Sequence, residues 1–221
     1  MRETQWMDWG TLDYRTAWQR QEALMQQVQQ THRDGAGRNY LLLVEHPHVY
    51  TLGRRGNEAN IVHRTEQAEF IRVDRGGDIT YHGPGQIVVY PVIRLESFGL
   101  GIREYVHGLE EVVISTIGTY GINGKRVPKA IGVWIDAGTP AERKICAIGV
   151  RCVHAVTMHG FALNVNTDLT FFDNIHPCGF TDKAVTSLEK ETGVKQDMAS
   201  VKRLIVQNFA ETFGMEFIRT D

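Results

Sequence analysis

Several things are scarce in this sequence, and each scarcity removes a class of protein. Three cysteines in 221 residues are an odd number and too few for a disulfide framework, which is the usage of a reducing compartment. No run of about eighteen apolar residues occurs, so no membrane-spanning helix is expected. Neither sign of charge dominates: the formal net charge is -2, against broad nucleic-acid binding. The first residues, Met1 to Gly10, lack the apolar centre of a signal peptide, because Trp6, Asp8 and Trp9 interrupt it. These absences together predict a cytoplasmic protein with no nucleic-acid and no membrane partner. What is present, a 42% hydrophobic composition, suffices to bury a core as a single domain over 1–221.

Periodicity places the elements. Leu12 to Gln30 reads as an amphipathic helix, Ile102 to Tyr120 as a core helix with Gly121 as C-cap, and Met198 to Phe213 as a third. Tyr40 to Val44, Phe70 to Val73, Ile87 to Ile93, Ile131 to Ile135 and Lys144 to Val153 read as strands, the last two joined by the turn Asp136 to Arg143. Met158 to Val165 alternates as a half-buried strand should. Strands in hairpins, interspersed with helices, predict an α+β or mixed α/β domain with a central mixed sheet flanked by helices.

The chemistry is placed in Thr157 to Phe180, and three further stretches invite a chemical reading. Arg75 to Gln86 holds four glycines beside Arg75, Thr80 and His82, a backbone that must bend and pass close to something. It is neither a Walker A loop, which needs Lys-Ser or Lys-Thr, nor a dinucleotide GxGxxG turn. Leu52 to Gly56 is a basic turn that suits a phosphate, an acidic protein surface or plain solvent. His46 and His48 invite a metal, but Pro47 separates them and no further ligand follows at zinc spacing, so no metal is expected.

Among the thiols, Cys146 and Cys152 lie in an apolar strand and read as core, whereas Cys178 stands between Pro177 and Gly179 in a polar loop where it can be reached. A free thiol is only a few per cent thiolate at pH 7, so a nucleophile there needs a base or a cation. His176, His159 and Lys144 are the candidates. Lys144 is either the exposed end of its strand or a buried ammonium with a partner, and period-two alternation puts Cys146 on its face as well.

The residues now form an ordered set: Arg75-Gly76-Gly77 with Thr80 to Gln86, Lys144 with Ala147-Ile148-Gly149, His159 to Asn164, and Pro177-Cys178-Gly179 with Val185 to Leu188. This set resembles the lipoyl (octanoyl) transferases, the LipB family, over Tyr40 to Leu188. The resemblance implies a fold like the catalytic domain of biotin and lipoate protein ligases. It also implies a cofactor-free acyltransferase that carries octanoate from octanoyl-acyl carrier protein to a lysine of lipoyl domains, in the E2 subunits of 2-oxoacid dehydrogenases, or of the glycine-cleavage H protein. By the same resemblance Cys178 holds the acyl thioester and Lys144 lowers its pKa. Arg75, Gly76, Gly77, Asp78, Ile79, Thr80, Tyr81 and His82 line the substrate site, with Ala147, Ile148, Gly149, His159, Gly160, Phe161 and Ala162. Three rivals remain: an ATP-dependent ligase, a thioesterase and a non-catalytic acyl-binding protein.

Overall fold

The structure, a computed structural model, describes residues 3–31, 37–177 and 183–218. Its largest unit is a nine-stranded sheet. The order is β12 (Glu216–Ile218), β1 (Glu3–Thr11), β2 (Asn39–Glu45), β6 (Gln86–Val92), β10 (Val156–Asn164), β9 (Arg143–Val153), β8 (Ala130–Ile135) and β7 (Gly124–Val127). The two-residue β11 (Ala184–Val185) adds to β9. Pairing of β1 with β2 and β12, and of β11 with β9, is parallel, and the remainder is antiparallel, so the sheet is mixed as expected.

Two layers cover it. On one face α2 (Ile102–Gly118) and α4 (Met198–Phe213) pack Leu109, Val113, Ile205 and Phe209 against Leu41, Val89, Phe161 and Leu163. Gly121, at φ +76°, ends α2 with Ile122 N–H donating back to the Ile117 carbonyl, the left-handed closure its position foretold. On the other face α1 (Tyr14–Thr31) packs Ala17, Met25 and Val28 on Leu42, Val92 and Met158. Asp13 caps α1, accepting from Thr16 N–H at 3.0 Å. Beside α1 lies a smaller sheet, β4 (Glu69–Arg72), β3 (Val49–Leu52) and β5 (Ile79–His82), backed by Phe172 and Ile175.

Four expectations are corrected. The strand expected over Met158 to Val165 is β10, and it is buried on both faces rather than half-buried, because α1 and the small sheet cover the side left for solvent. The glycine-rich stretch is two tight turns around β5, whose Thr80 and His82 read as loop residues but are buried. Cys152 is exposed, not core: β8 covers β9 only as far as Cys146, so the outer edge of β9 beyond it has no strand beside it among the described residues. The edge strands β1 and β12, the short β3 and β7, and α3 (Leu188–Thr192) were not expected; β1 is mostly open to solvent and so lacks an apolar pattern. No helix among the described residues is long and apolar enough to cross a membrane.

Candidate active site

The small sheet faces the large one across a cleft of about 750 Å³, open solvent at its mouth included. Its floor is one face of β6, β10 and β9, and the register makes that floor graded. Gln86 pairs with Asn164, then Val88 with Ala162 and Ala162 with Ala147, then Gly160 with Gly149, with Tyr90 beside them. One end is therefore polar, the middle is small and apolar, and the far end is bare backbone.

Lys144 stands at the polar end because of a bulge. Between β8 and β9 the register steps from Val133/Cys146 to Trp134/Lys144, which leaves Ile145 as an extra residue. Ile145 and Cys146 both enter the core, and Lys144 instead lines the cleft with Ala147 and Gly149. Period-two reasoning put Lys144 and Cys146 on one face, and the bulge separates them. The Lys144 ammonium is buried and lies 4.5 Å from the centre of the Trp134 ring, whose face attracts a cation. Burial pushes the Cys146 thiol up, so it stays protonated and inert.

Arg75 fills the far end. A Cβ on Gly149 would meet Arg75 Cδ at 3.0 Å, and one on Gly53 would meet Arg75 Nη1 at 2.9 Å, so these positions must be glycine for the guanidinium to lie there. From Arg75 a directed chain of hydrogen bonds crosses the cleft wall. Arg75 Nη2 donates to Thr51 Oγ1 at 2.8 Å, and that hydroxyl reaches His82 Nε2 at 3.3 Å. His82 Nδ1 donates to Gln86 Oε1 at 2.8 Å, and Gln86 Nε2 to Asn164 Oδ1 at 2.9 Å. Asn164 Nδ2 donates to the Thr186 carbonyl at 3.0 Å, and Thr186 N–H to the Lys144 carbonyl at 2.9 Å. Every member is satisfied in one direction, which fixes both amide orientations and the His82 tautomer. Burial, then the nearby His46 and Arg75, keep His82 neutral, well below its ordinary pKa.

Two more imidazoles are buried here. His46 Nδ1 lies 2.7 Å from the Leu12 carbonyl, which can only accept, so Nδ1 carries the proton and Nε2 accepts from the Tyr90 hydroxyl at 2.8 Å. Burial lowers its pKa to about 4, and burial likewise raises that of neighbouring Tyr14 to about 12. His159 adopts a left-handed φ of +58° inside β10, and its N–H leaves the ladder for Gln21 Oε1 at 2.9 Å. Such a conformation costs on the order of 1 kcal/mol or more. It turns the ring onto the cleft face, where Nε2 meets Asp74 Oδ1 at 2.8 Å while Arg151 holds the other carboxylate oxygen. Burial lowers the His159 pKa against the pull of Asp74; burial would raise Asp74, but the bond from His159 and the charge of Arg151 outweigh it and lower it.

Of the residues singled out from sequence, Arg75, Gly77, Asp78, Ile79, Thr80 and His82 line the cleft from the small-sheet side. Lys144, Ala147, Ile148, Gly149, His159, Gly160, Phe161 and Ala162 line it from the large sheet. Gly76 lines an adjoining groove instead. Tyr81 points the other way along β5, into the small-sheet core, with its hydroxyl 2.7 Å from His48 Nδ1. His46 and His48 thus serve separate partners, and the described residues contain no cluster of three metal ligands. Cys178 lies outside the described residues. His176 does not line the cleft but a separate surface pocket, and its backbone N–H donates to the Asn60 carbonyl at 2.8 Å. Tyr14, Gln86, Tyr90 and Asn164 went unnoticed as site residues. Gln86 and Asn164 had a signal, being amides at the ends of strands otherwise apolar; Tyr14 and Tyr90 fit apolar patterns and had none.

Residues 13–210 match the family model described as the lipoyl protein ligase A/B catalytic domain. The chain is 54% identical over 201 residues to an octanoyltransferase of Bacteroides fragilis, covering 88% of this chain and 91% of that one. It is 48% identical over 220 residues to an octanoyltransferase of Christiangramia forsetii, covering 94% of each. Among solved structures it is similar to a bi-partite lipoate protein ligase from Thermoplasma acidophilum, with a TM-score of 0.73, 16% identity, and 100% of this chain and 87% of that one covered. A lipoate-protein ligase A bound with ATP follows at TM-score 0.70 and 14% identity, covering 99% of this chain and 87% of that one. At such identities the solved structures speak for the fold alone, and they bear out the ligase-like mixed α/β fold. Family model and relatives together establish that this chain belongs to the lipoyl protein ligase A/B catalytic domain family.

Proposed function

We propose that the protein is a lipoyl (octanoyl) transferase that moves octanoate from octanoyl-acyl carrier protein to one lysine of a lipoyl domain or glycine-cleavage H protein, with Cys178 as the covalent carrier. The observation that carries this reading is that described residues on both sides of Cys178 in the sequence line the cleft. Pro177 lines it on one side of Cys178, and Val185, which pairs with Lys144 in β11, lines it on the other. Curated octanoyltransferases at up to 54% identity support the reaction class.

The chemistry balances in two steps. The Cys178 thiolate attacks the thioester carbonyl, a new carbon–sulfur bond forms and the old one breaks, and the leaving carrier thiolate takes a proton from the Lys144 ammonium. Lys144 is then neutral. An acceptor lysine of pKa about 10.4 arrives almost wholly protonated at pH 7, and neutral Lys144 removes its proton so that the amine attacks the acyl-enzyme. An amide forms, Cys178 leaves as thiolate, and the second ammonium proton of the acceptor passes to solvent, with Lys144 already back in its charged form. The small apolar floor of Val88, Ala147 and Ala162 suits the octanoyl chain, at roughly 0.8 kcal/mol per buried CH₂.

Mass spectrometry tests this directly. Octanoyl-acyl carrier protein without ATP should add one octanoyl mass to the protein at Cys178, and a lipoyl domain should then remove it. A strict need for ATP and free octanoate would make the protein a ligase, release of free octanoate with no transfer would make it a thioesterase, and full turnover by Cys178→Ala would end the covalent mechanism.

A further inference from the structure

A second groove, of about 970 Å³ with open solvent included, meets the cleft at Lys144. The two share Gly77, Asp78, Ile131, Lys144, Ile148 and Gly149, so they open into one another around these residues. The acyl chain accounts for the first limb only. A thioester whose carbonyl lies beside Lys144 can send its other substituent, the thiol arm, along the second.

The second limb has three properties. Its inner wall is the outer edge of β9: β8 pairs as far as Cys146 and Gly76 takes the Val150 carbonyl, so between them Ile148 and Gly149 present strand edge to the groove. An extended arm bearing amides can add to such an edge. Its mid-section offers apolar surface, with Ile131 left 52% exposed. Its outer lip carries Arg55 and Lys129, both exposed and neither in an ion pair with a described carboxylate. Lys129 is moreover held at φ +67° in the two-residue turn between β7 and β8, where a glycine would be relaxed. Asp78 is the carboxylate in the groove, and its oxygens are taken up by Asn57 N–H, Ile79 N–H and Asn60 Nδ2.

Building on the transferase reading, we infer that this groove is the seat of a phosphopantetheine arm: amides along the β9 edge, dimethyl portion on Ile131, and phosphate between Arg55 and Lys129. The same arm occurs on an acyl carrier protein and in coenzyme A, and that shared chemistry is what the groove recognises.

The test compares octanoyl thioesters of phosphopantetheine and of dephosphorylated pantetheine, with an isolated lipoyl domain as acceptor. For the unaltered protein the phosphorylated thioester should have a KM at least about tenfold lower, the size of effect expected of charge-assisted contacts to one phosphate. In the double variant Arg55→Ala, Lys129→Gly that ratio should collapse towards one, and Lys129→Arg should keep it. Octanoyl-coenzyme A and octanoyl-acyl carrier protein, run in parallel, tell which source is preferred. No preference for the phosphate in the unaltered protein, or a ratio untouched in the double variant, overturns the assignment. Transfer from neither thioester, nor from carrier protein, would instead bring down the transferase reading beneath it.

Discussion

The two faces of the large sheet are made by alternate residues of the same strands, yet they have opposite contents. Towards α2 and α4 the strands turn Leu41, Leu43, Val89, Phe161 and Leu163, large side chains fully or almost fully buried. Towards the cleft β6, β9 and β10 turn Val88, Ala147, Gly149, Gly160 and Ala162, with amides at one end and Tyr90 at the other. The first face buries apolar bulk and holds the fold; the second gives up bulk and leaves a cleft floored by small residues with the buried Lys144 ammonium at one end. Stability and chemistry are thus divided by a period of two residues, and substitutions on the two faces should have separable effects.

The largest separation is expected at the cleft. Lys144→Ala should lower kcat/KM for octanoyl transfer by about 10²–10⁴-fold, the usual yield of a positioned acid–base group, while its urea midpoint shifts little. A variant that lost most of its stability and little activity would give Lys144 to the other face. Conversely, Phe209→Ala, on the helix face, should cost about 3–5 kcal/mol in denaturant unfolding and leave the activity of the folded fraction near normal.

The pH dependence of stability sharpens the contrast further, because the buried imidazoles belong to the cleft side. The native pKa of His46, about 4, lies below an unfolded value near 6.5, so between these limits only the unfolded chain takes up the proton. Stability from this residue is fully present above pH 6.5 and is lost as pH falls towards 4, by roughly 3 kcal/mol in total. His82 and His159 act in the same direction. Urea midpoints measured from pH 7 to 4 should fall steadily, and His46→Gln should flatten the slope; an unchanged slope would remove His46 from the acid response. The smallest effect concerns Gly149→Ala, whose added carbon meets the backbone Gly76 O at 2.9 Å and crowds Arg75, and which should cost about tenfold in kcat/KM and about 1–3 kcal/mol in unfolding.

Much of the helix face was legible in the sequence, because apolar side chains announce themselves by period. Of the stripe Tyr105, Val106, Leu109, Val112, Val113, Thr116, Ile117 and Tyr120, all but Val106 and Tyr120 are on the buried side of α2, and Met198–Phe213 became α4 to the residue. The cleft face was legible only through its motifs. Nothing in the local pattern marks Ile145 as an extra residue, so strict alternation gave Lys144 to the wrong side. Tyr81 followed its motif neighbours on paper, but β5 turns it away from Thr80 and His82. Cys152 shares an apolar run with Cys146, and only the length of β8 decides that one is covered and the other is not. Burial imposed by a distant strand leaves no trace in nearby letters.

One orientation fixed at Leu12 has an effect several residues away. Since that carbonyl compels His46 to accept from Tyr90, the phenol's only hydrogen is directed towards the ring and away from the passage. Tyr90 therefore shows its neighbours a lone pair alone. On its other side the Tyr90 oxygen can only accept, and the polar group it would bind there is a donor.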